Sequence, residues 1–534
     1  MASILSGRPL MTDSAVLEAP AAFPADPDAP LGPLSLSLSG GGYRAAGFHL
    51  GVVGLLDDVG LTRNVTSVST VSGGTIFGAA WLVKKMDGAG FAEFREWFRG
   101  WMLETNVVRD ALAGLAASQG GASRARASLI RSAARVYAAP GFLGDRRFGE
   151  VMEGSGIPAE VVFNATEFRS GVAFRFRRSA NPHAYVGNGT FVVPREVAAQ
   201  VRLADVVAAS SCFPGGFEPI CFPDEFEWGP GGLERARAAL GDKFVPALPL
   251  MDGGVYDNQG VGSSVLANRH GEAATLLISD TNTRQEALYT TPDAPRRGWL
   301  TLNGAAWVGR ILFALAVASI VALGVHAWRE LEHGGWQWQD ILIYIVPGAF
   351  CLAGAAALTT VRRVSLDVGA RLRERVQIAR AWNDVRRLTI PEVVSLVELR
   401  ATSLLSLTSN VFMKRVRELV LGSVYADERY VQRRAPVLLY QLDEPEPALY
   451  HRVPWLRPSA NLVAQVRCVD TMSTTLWFDT RDQLDTLERV GGATAAYALL
   501  KLIVERDGPE GGAPGTPVRA LFDRLRARWD AYNV

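Results

Sequence analysis

Leu34-Ser35-Leu36-Ser37-Leu38-Ser39-Gly40-Gly41-Gly42-Tyr43-Arg44 is the stretch that decides the fold. The apolar run Leu34 to Leu38 reads as a strand. Ala45 to Val59 reads as a helix, because it carries Phe48, Leu50, Val52, Val53, Leu55 and Leu56 with few breakers. Between them, three consecutive glycines can turn with φ > 0 and place no Cβ in the way of a ligand. Their amides can point into one small space, and the start of the helix adds partial positive charge to it. An anion forming there is stabilised, and losing one such donor typically costs ~10²–10³ in rate. Arg44 can hold the loop or strengthen the field. The same residues also suit a phosphate-binding turn or a plain tight turn.

Working outward, Val65 to Val71 is rich in β-formers and ends at Ser72-Gly73-Gly74. Ile76, Phe77, Ala79, Ala80 and Trp81 then look like a buried helix start. Strand, sharp turn and helix are the setting of a nucleophile elbow, where small neighbours are needed around the serine. Thr70 stands where the pattern G-x-S-x-G has its first glycine, and no intact copy occurs in the chain. A serine at such a junction can equally be an N-cap. A hydroxyl nucleophile needs a base. Of the six histidines, His270 and His451 fit the order serine, acid, histidine, but neither lies in a recognisable signature. Asp252 does: Leu248-Pro249-Leu250-Met251 leads into it, Gly253-Gly254 follows, and its carboxylate should emerge at a strand end. A dry site raises a carboxyl pKa far enough for an aspartate to take the serine proton directly. An Asp-Gly hairpin turn is the plainer alternative.

In this order the three signals resemble the patatin-like phospholipase family. The glycine loop Gly40-Gly41-Gly42-Tyr43-Arg44, the elbow Thr70-Val71-Ser72-Gly73-Gly74 and the base motif Asp252-Gly253-Gly254 carry the resemblance. Phe163-Asn164-Ala165-Thr166-Glu167 resembles the family's central strand, and Ala208 to Gly215 its A-S-x-A-x-P segment. The likeness covers roughly residues 31–285, with a weaker echo at Thr474-Thr475-Leu476-Trp477-Phe478. Ser72-Gly73-Gly74 is closer to the cytosolic phospholipase A2 branch. The resemblance implies a Ser72–Asp252 dyad, an oxyanion hole from Gly40, Gly41 and Gly42, supporting roles for Arg44 and Gly74, a lipid ester substrate, and no metal or other cofactor.

The chain has 534 residues, 48% of them hydrophobic, enough for a sizeable core. A net charge of +1 gives no bulk electrostatic reason to bind nucleic acid. Cys212, Cys221, Cys351 and Cys468 show no zinc spacing and read as thiols of a reducing compartment. Residues 1–30 are rich in Ala, Pro and Asp, lack the pattern of a secretory signal and read as a flexible leader.

The composition shifts near residue 300. Ile311 to Trp328 and Ile341 to Val361 carry no charged side chain if His326 is neutral. A bilayer takes about 20 apolar residues to cross. Trp307, Trp328, Trp336, Trp338 and Tyr344 lie near the ends, as interfacial aromatics do, and the mean hydropathy of the chain is +0.11. Two buried helices of a large domain would read similarly. Arg296, Arg297 and Arg310 precede the first segment, and Arg362, Arg363, Arg371, Arg373 and Arg375 follow the second. The positive-inside rule places both flanks, and so the catalytic domain, in the cytoplasm. Ser365 to Arg387, and the stretch with Arg124, Arg126, Arg131 and Arg135, can each lie on anionic lipid or pack one face on the domain. The latter stretch is also a candidate cap over the site.

The expected fold is α/β, a three-layer sandwich around a mostly parallel sheet, interrupted by a two-helix transmembrane hairpin. Its expected parts are the leader at 1–30, a first catalytic part at 31–295, the hairpin at 305–361, and the remaining catalytic part at 362–534 with a strand near Pro436–Leu442 and a helix near Arg481–Arg506. The expected function is a membrane-tethered lipid acyl hydrolase on phospholipid or lysophospholipid. A silent scaffold of the same fold and a serine–histidine esterase are the alternatives.

Overall fold

Alternation in the opening strand sets up two helical layers. In β1 (Leu34–Leu38) successive side chains point to opposite faces of the sheet. The three leucines enter the large core, with α1 (Gly42–Asp58), α2 (Gly73–Met86) and the helix Arg481–Asp507. On the other face Ser37 Oγ meets Ser264 Oγ at 2.7 Å, on the helix Val261–Asn268. β9 (Thr275–Asp280) alternates in the same way: Leu277 joins the large core, whereas Leu276 and Ile278 pack with Val261, Val424 and Tyr430. This computed structural model of the chain describes residues 29–118, 128–268, 275–284, 301–333, 338–375 and 387–534.

The remaining strands are β2 (Val65–Val71), β3 (Glu160–Glu167), β4 (Val172–Arg178), β5 (Val186–Gly187), β6 (Val192–Val193), β7 (Ile220–Phe222), β8 (Leu248–Asp252) and β10 (Arg434–Leu438). They form one sheet in the order β10-β9-β1-β2-β3-β4-β5-β6, with β8 on β3 and β7 on β8. The expected parallel core is present as β10-β9-β1-β2-β3. Beyond β3 the pairing turns antiparallel. The parallel strands are largely buried, as helices on both faces require. β10 begins and ends earlier than the expected Pro436–Leu442. Its partner β9 stops at Asp280, opposite Leu438, and the last bond between the two is that of the Leu439 amide to the Asp280 carbonyl at 2.9 Å.

Two helices meet backbone to backbone beside the first turn of the fold. A methyl group at Gly51 of α1 would overlap the Glu488 carbonyl, and one at Gly491 would overlap that of Phe48. Only glycine lets the axes come so near. The helix Arg481–Asp507 is thereby built into the same core as β1, although more than 400 residues separate them.

The chain divides into two compact units, one of residues 1–286 and 408–534 and one of residues 287–407. The second unit contains the helices Leu302–His333 and Trp338–Arg375, which pack as a hairpin. Ser319 Oγ donates to the Tyr344 carbonyl at 2.7 Å, and Gly309 and Gly354 face Leu358 and Leu312. Asn303–Arg329 and Leu342–Thr360 are long and apolar enough to cross a membrane, with mean hydropathies of 2.3 and 1.9 and only 11% of each best window buried. The side chains of the stretch 365–387 lie almost wholly outside the described residues, as do Arg124 and Arg126. Arg131 and Arg135 belong to the helix Leu129–Tyr137, whose apolar face of Ile130, Ala133, Ala134 and Tyr137 is packed into the protein.

Candidate active site

One edge of β3 explains how two distant motifs come together. β4 occupies the other edge throughout, from Val161 to Glu167. On the shared edge β2 runs as far as Val71, opposite Asn164, and then leaves the sheet. β8 takes over at the next position, where Asp252 lies opposite Ala165. Ser72 therefore turns out of the sheet where Asp252 arrives. The neighbouring Ser72 hydroxyl tends to hold the Asp252 carboxylate ionised, as does the Gly254 amide, which donates to Oδ1 at 2.7 Å. Burial outweighs both and pushes the carboxyl up to about 6. Asp252 opens a short helix, Gly254–Asp257, and not a hairpin.

Ser72 has φ 52° and ψ −119° and is the one non-glycine among the described residues with positive φ. A side chain in that region is strained, and such strain concentrates at functional sites. Ser72 occupies the N-cap position of α2, yet its hydroxyl makes no capping bond. Gly73 and Gly74 are required by contact: a methyl group on the first would overlap the Gly42 carbonyl, and on the second the Leu38 carbonyl. The elbow thus sits directly on the end of β1 and on the glycine loop. Thr70 is accommodated from across the turn, because a Cβ at Gly78 would stand only 2.7 Å from its Cγ2.

The three loop glycines differ in what their amides do. Gly40 donates to the Asn258 carbonyl at 2.9 Å, so its N–H is committed within the protein. Gly41 (φ 138°) and Gly42 (φ 57°) open α1, and among the described residues no acceptor is bonded to their amides. Tyr43 donates to the Thr475 carbonyl at 2.8 Å, so the Thr474–Phe478 segment docks on this loop. Thr281 Oγ1 donates to the Gly40 carbonyl at 2.9 Å. Arg44 is buried, and its guanidinium donates to the carbonyls of Met472 (2.6 Å) and Thr281 (3.0 Å). Burial lowers its pKa to about 10, which still leaves it charged. Arg44 is accordingly a brace between the loop, β9 and the C-terminal segment.

His49 lies one layer behind. Its Nε2 faces the Ser39 carbonyl at 2.9 Å and must carry the proton, so Nδ1 accepts from Ser279 Oγ at 2.8 Å. Burial lowers its pKa to about 4, so the ring is a neutral spacer at neutral pH. His451 is exposed on the helix Pro447–Arg452, and His270 lies outside the described residues. Among the described residues no group of three or more His, Cys, Asp or Glu is arranged to hold a metal ion.

Several neighbours of the site come from the stretches Phe163–Glu167 and Ala208–Gly215. Ser210 accepts the Ser72 amide at 3.1 Å, and Asn164 Nδ2 donates to the Thr70 carbonyl at 2.9 Å. The Asp252 amide donates to the Cys212 carbonyl at 3.0 Å. Ser210 and Cys212 belong to the stretch Ala208–Gly215, and Thr475 to Thr474–Phe478; residue type and spacing do not say where either docks.

An α/β protein with a strained serine elbow beside a buried aspartate is the class this fold and site define. Residues 36–263 match the family model described as Patatin-like phospholipase, a match that supports a lipid hydrolase family for this stretch of the chain. No curated protein matches the chain. The matched stretch runs from β1 through β8, while β9, β10 and the helix Arg481–Asp507 complete the sheet and core from outside it.

Proposed function

We propose that the protein is a membrane-tethered serine lipid acyl hydrolase of phospholipase A or lysophospholipase type. The ester carbonyl sits over the amides of Gly41 and Gly42. Ser72 Oγ attacks the carbonyl carbon while Asp252 takes its proton, and the oxyanion forms at the amides and the start of α1. Collapse of that intermediate breaks the ester C–O bond. Asp252 returns the proton to the departing alcohol, and an acyl-Ser72 ester remains. Water then adds to the acyl carbonyl with Asp252 again as base, the Ser72 oxygen leaves with the proton, and the fatty acid is released. Gly40 supports the loop by its bond to Asn258 and is not counted among the oxyanion donors.

The single observation that carries this reading is the strained Ser72 facing a buried Asp252 whose pKa lies near 6. A general base works best with a pKa near the operating pH. Phospholipid or lysophospholipid is the substrate class because the two long apolar helices hold the enzyme at its lipid source. The arginines flanking those helices support a cytoplasmic catalytic unit by the positive-inside rule.

The test uses the full chain in membranes. A fluorophosphonate probe should label wild type and leave Ser72→Ala unlabelled, and fatty-acid release from phosphatidylcholine vesicles should fall by at least ~10³-fold in the variant. Equal labelling of the two proteins would overturn the assignment of the nucleophile.

A further inference from the structure

Five buried groups behind the elbow form a hydrogen-bond chain whose direction is fixed by chemistry. Thr70 Oγ1 and Thr75 Oγ1 are 2.8 Å apart, and Thr75 Oγ1 and Ser210 Oγ are 2.7 Å apart. Ser210 Oγ lies 2.6 Å from the Asn164 carbonyl and 3.1 Å from the Ser72 amide nitrogen. All three hydroxyl residues are fully buried. A carbonyl only accepts, so Ser210 gives its one proton to Asn164. An amide only donates, so Ser210 accepts from Ser72. With its proton spent, Ser210 can only accept from Thr75, and Thr75 can then only accept from Thr70. The other acceptor near Thr70, the Val162 carbonyl, is more distant at 3.4 Å.

We propose that Thr70 is a positioning residue for the nucleophile, acting through Thr75 and Ser210 to hold the Ser72 amide and so the strained elbow. This inference rests on the reading of Ser72 as the nucleophile. Thr70 is the position at which the elbow departs from G-x-S-x-G, and a glycine there has no hydroxyl to start the chain. Gly78 makes the exchange feasible in space, since its missing Cβ leaves room for the Thr70 methyl group. With the chain intact, Ser210 has one arrangement of bonds, and the Ser72 amide has a fixed acceptor. Without the Thr70 proton, Thr75 is free to turn its own proton elsewhere. Ser210 loses a donor, and the peptide at Ser72 can relax away from φ 52°, carrying its hydroxyl off Asp252.

The test compares Thr70→Val, which keeps the shape and removes the hydroxyl, with Thr70→Ser, which keeps the hydroxyl. Thr66→Val is the control, since Thr66 Oγ1 bonds the Leu34 carbonyl at 3.3 Å from the same strand and has no link to the chain. The full-length proteins are assayed in membranes for fluorophosphonate labelling rate and for kcat and KM on phosphatidylcholine vesicles. Thr70→Val should lose about five- to ten-fold in labelling rate and kcat with KM unchanged, the worth of one net hydrogen bond. Thr70→Ser should be restored to near the wild-type rate and Thr66→Val should match wild type. Thr70→Val labelling at the wild-type rate overturns this inference alone. Wild type failing to label overturns the nucleophile assignment and this inference with it. If Thr70→Val does not fold, Thr75→Val replaces it and is read by the same two outcomes.

Discussion

Helix α1 and the helix spanning Asn303–Arg329 are made of much the same apolar and small residues, yet they end in opposite surroundings. From Tyr43 to Leu56 α1 is buried at almost every position, Arg44 and His49 included. In the second helix Ile311, Phe313, Leu315, Ile320 and Val321 are each more than half exposed. A helix that is apolar all round must bury itself in protein or in lipid. α1 finds protein because Gly51 and Gly491 let another helix reach its backbone. Among the described residues the helix Asn303–Arg329 packs chiefly on its hairpin neighbour, and it is long and apolar enough to cross a bilayer. Composition marks both segments as apolar; the partner decides which is core.

The comparison is sharpened first at the catalytic end. Asp252→Asn should lower fatty-acid release by about 10²–10⁴-fold, the usual worth of a general base. In wild type, kcat/KM should fall tenfold per pH unit below about 6, where Asp252 becomes protonated. For stability the sign is opposite. The folded pKa of Asp252 lies above its unbonded value of 3.8, so its contribution favours folding below about pH 4 and is lost as pH rises through about 6. Asp252→Asn should therefore be more thermostable than wild type at pH 7.5, by up to about 3 kcal/mol, with the gain vanishing near pH 4. An inactive variant with no such pH-dependent gain would mean that the carboxylate is not held in a dry site.

Next come the packing contrasts. Gly51→Ala places a methyl group on the Glu488 carbonyl. It should lower stability by roughly 3 kcal/mol, at the upper end for overpacking, because backbone and not a flexible side chain must give way. Urea unfolding of the purified protein reads this directly. Leu315→Lys, at a half-exposed position of the first hairpin helix, should cost about 3 kcal/mol of membrane insertion and shift the protein toward the soluble fraction on fractionation. Gly324→Ala is the smallest effect. Nothing lies within 4 Å of the position a Cβ would take there, so the change should leave stability within about 1 kcal/mol, on the favourable side. If Gly51→Ala and Gly324→Ala behave alike, the two helices do not differ in surroundings as described.

Much of the fold was legible because it is local. Leu34–Leu38, Val65–Val71 and Leu248–Asp252 are strands where the apolar runs predict them, and the helical spacing from Leu484 to Ile503 predicts the helix Arg481–Asp507 almost to its ends. The misjudged strand near Pro436 shows the limit. Its ends are set by where β9 stops, which no property of residues 434–442 records. The glycine loop shows a second limit. Three equal letters at 40, 41 and 42 conceal that one amide is tied to Asn258, a residue over 200 positions away.

By itself the sequence determined the strands Leu34–Leu38 and Val65–Val71, the helix near Arg481–Asp507, the glycines at the turns and the apolar character of the 303–360 region, since each follows from the residues within a few positions. The tertiary structure alone decided that β2 and β8 divide one edge of β3 between them, bringing Ser72 to Asp252. It also decided that Arg44 is a brace, that His49 is a spacer, and that Thr70 connects through Thr75 to Ser210, the acceptor of the Ser72 amide. These are matters of register and of which donors remain for which acceptors. They are settled only when distant segments compete for the same few hydrogen bonds.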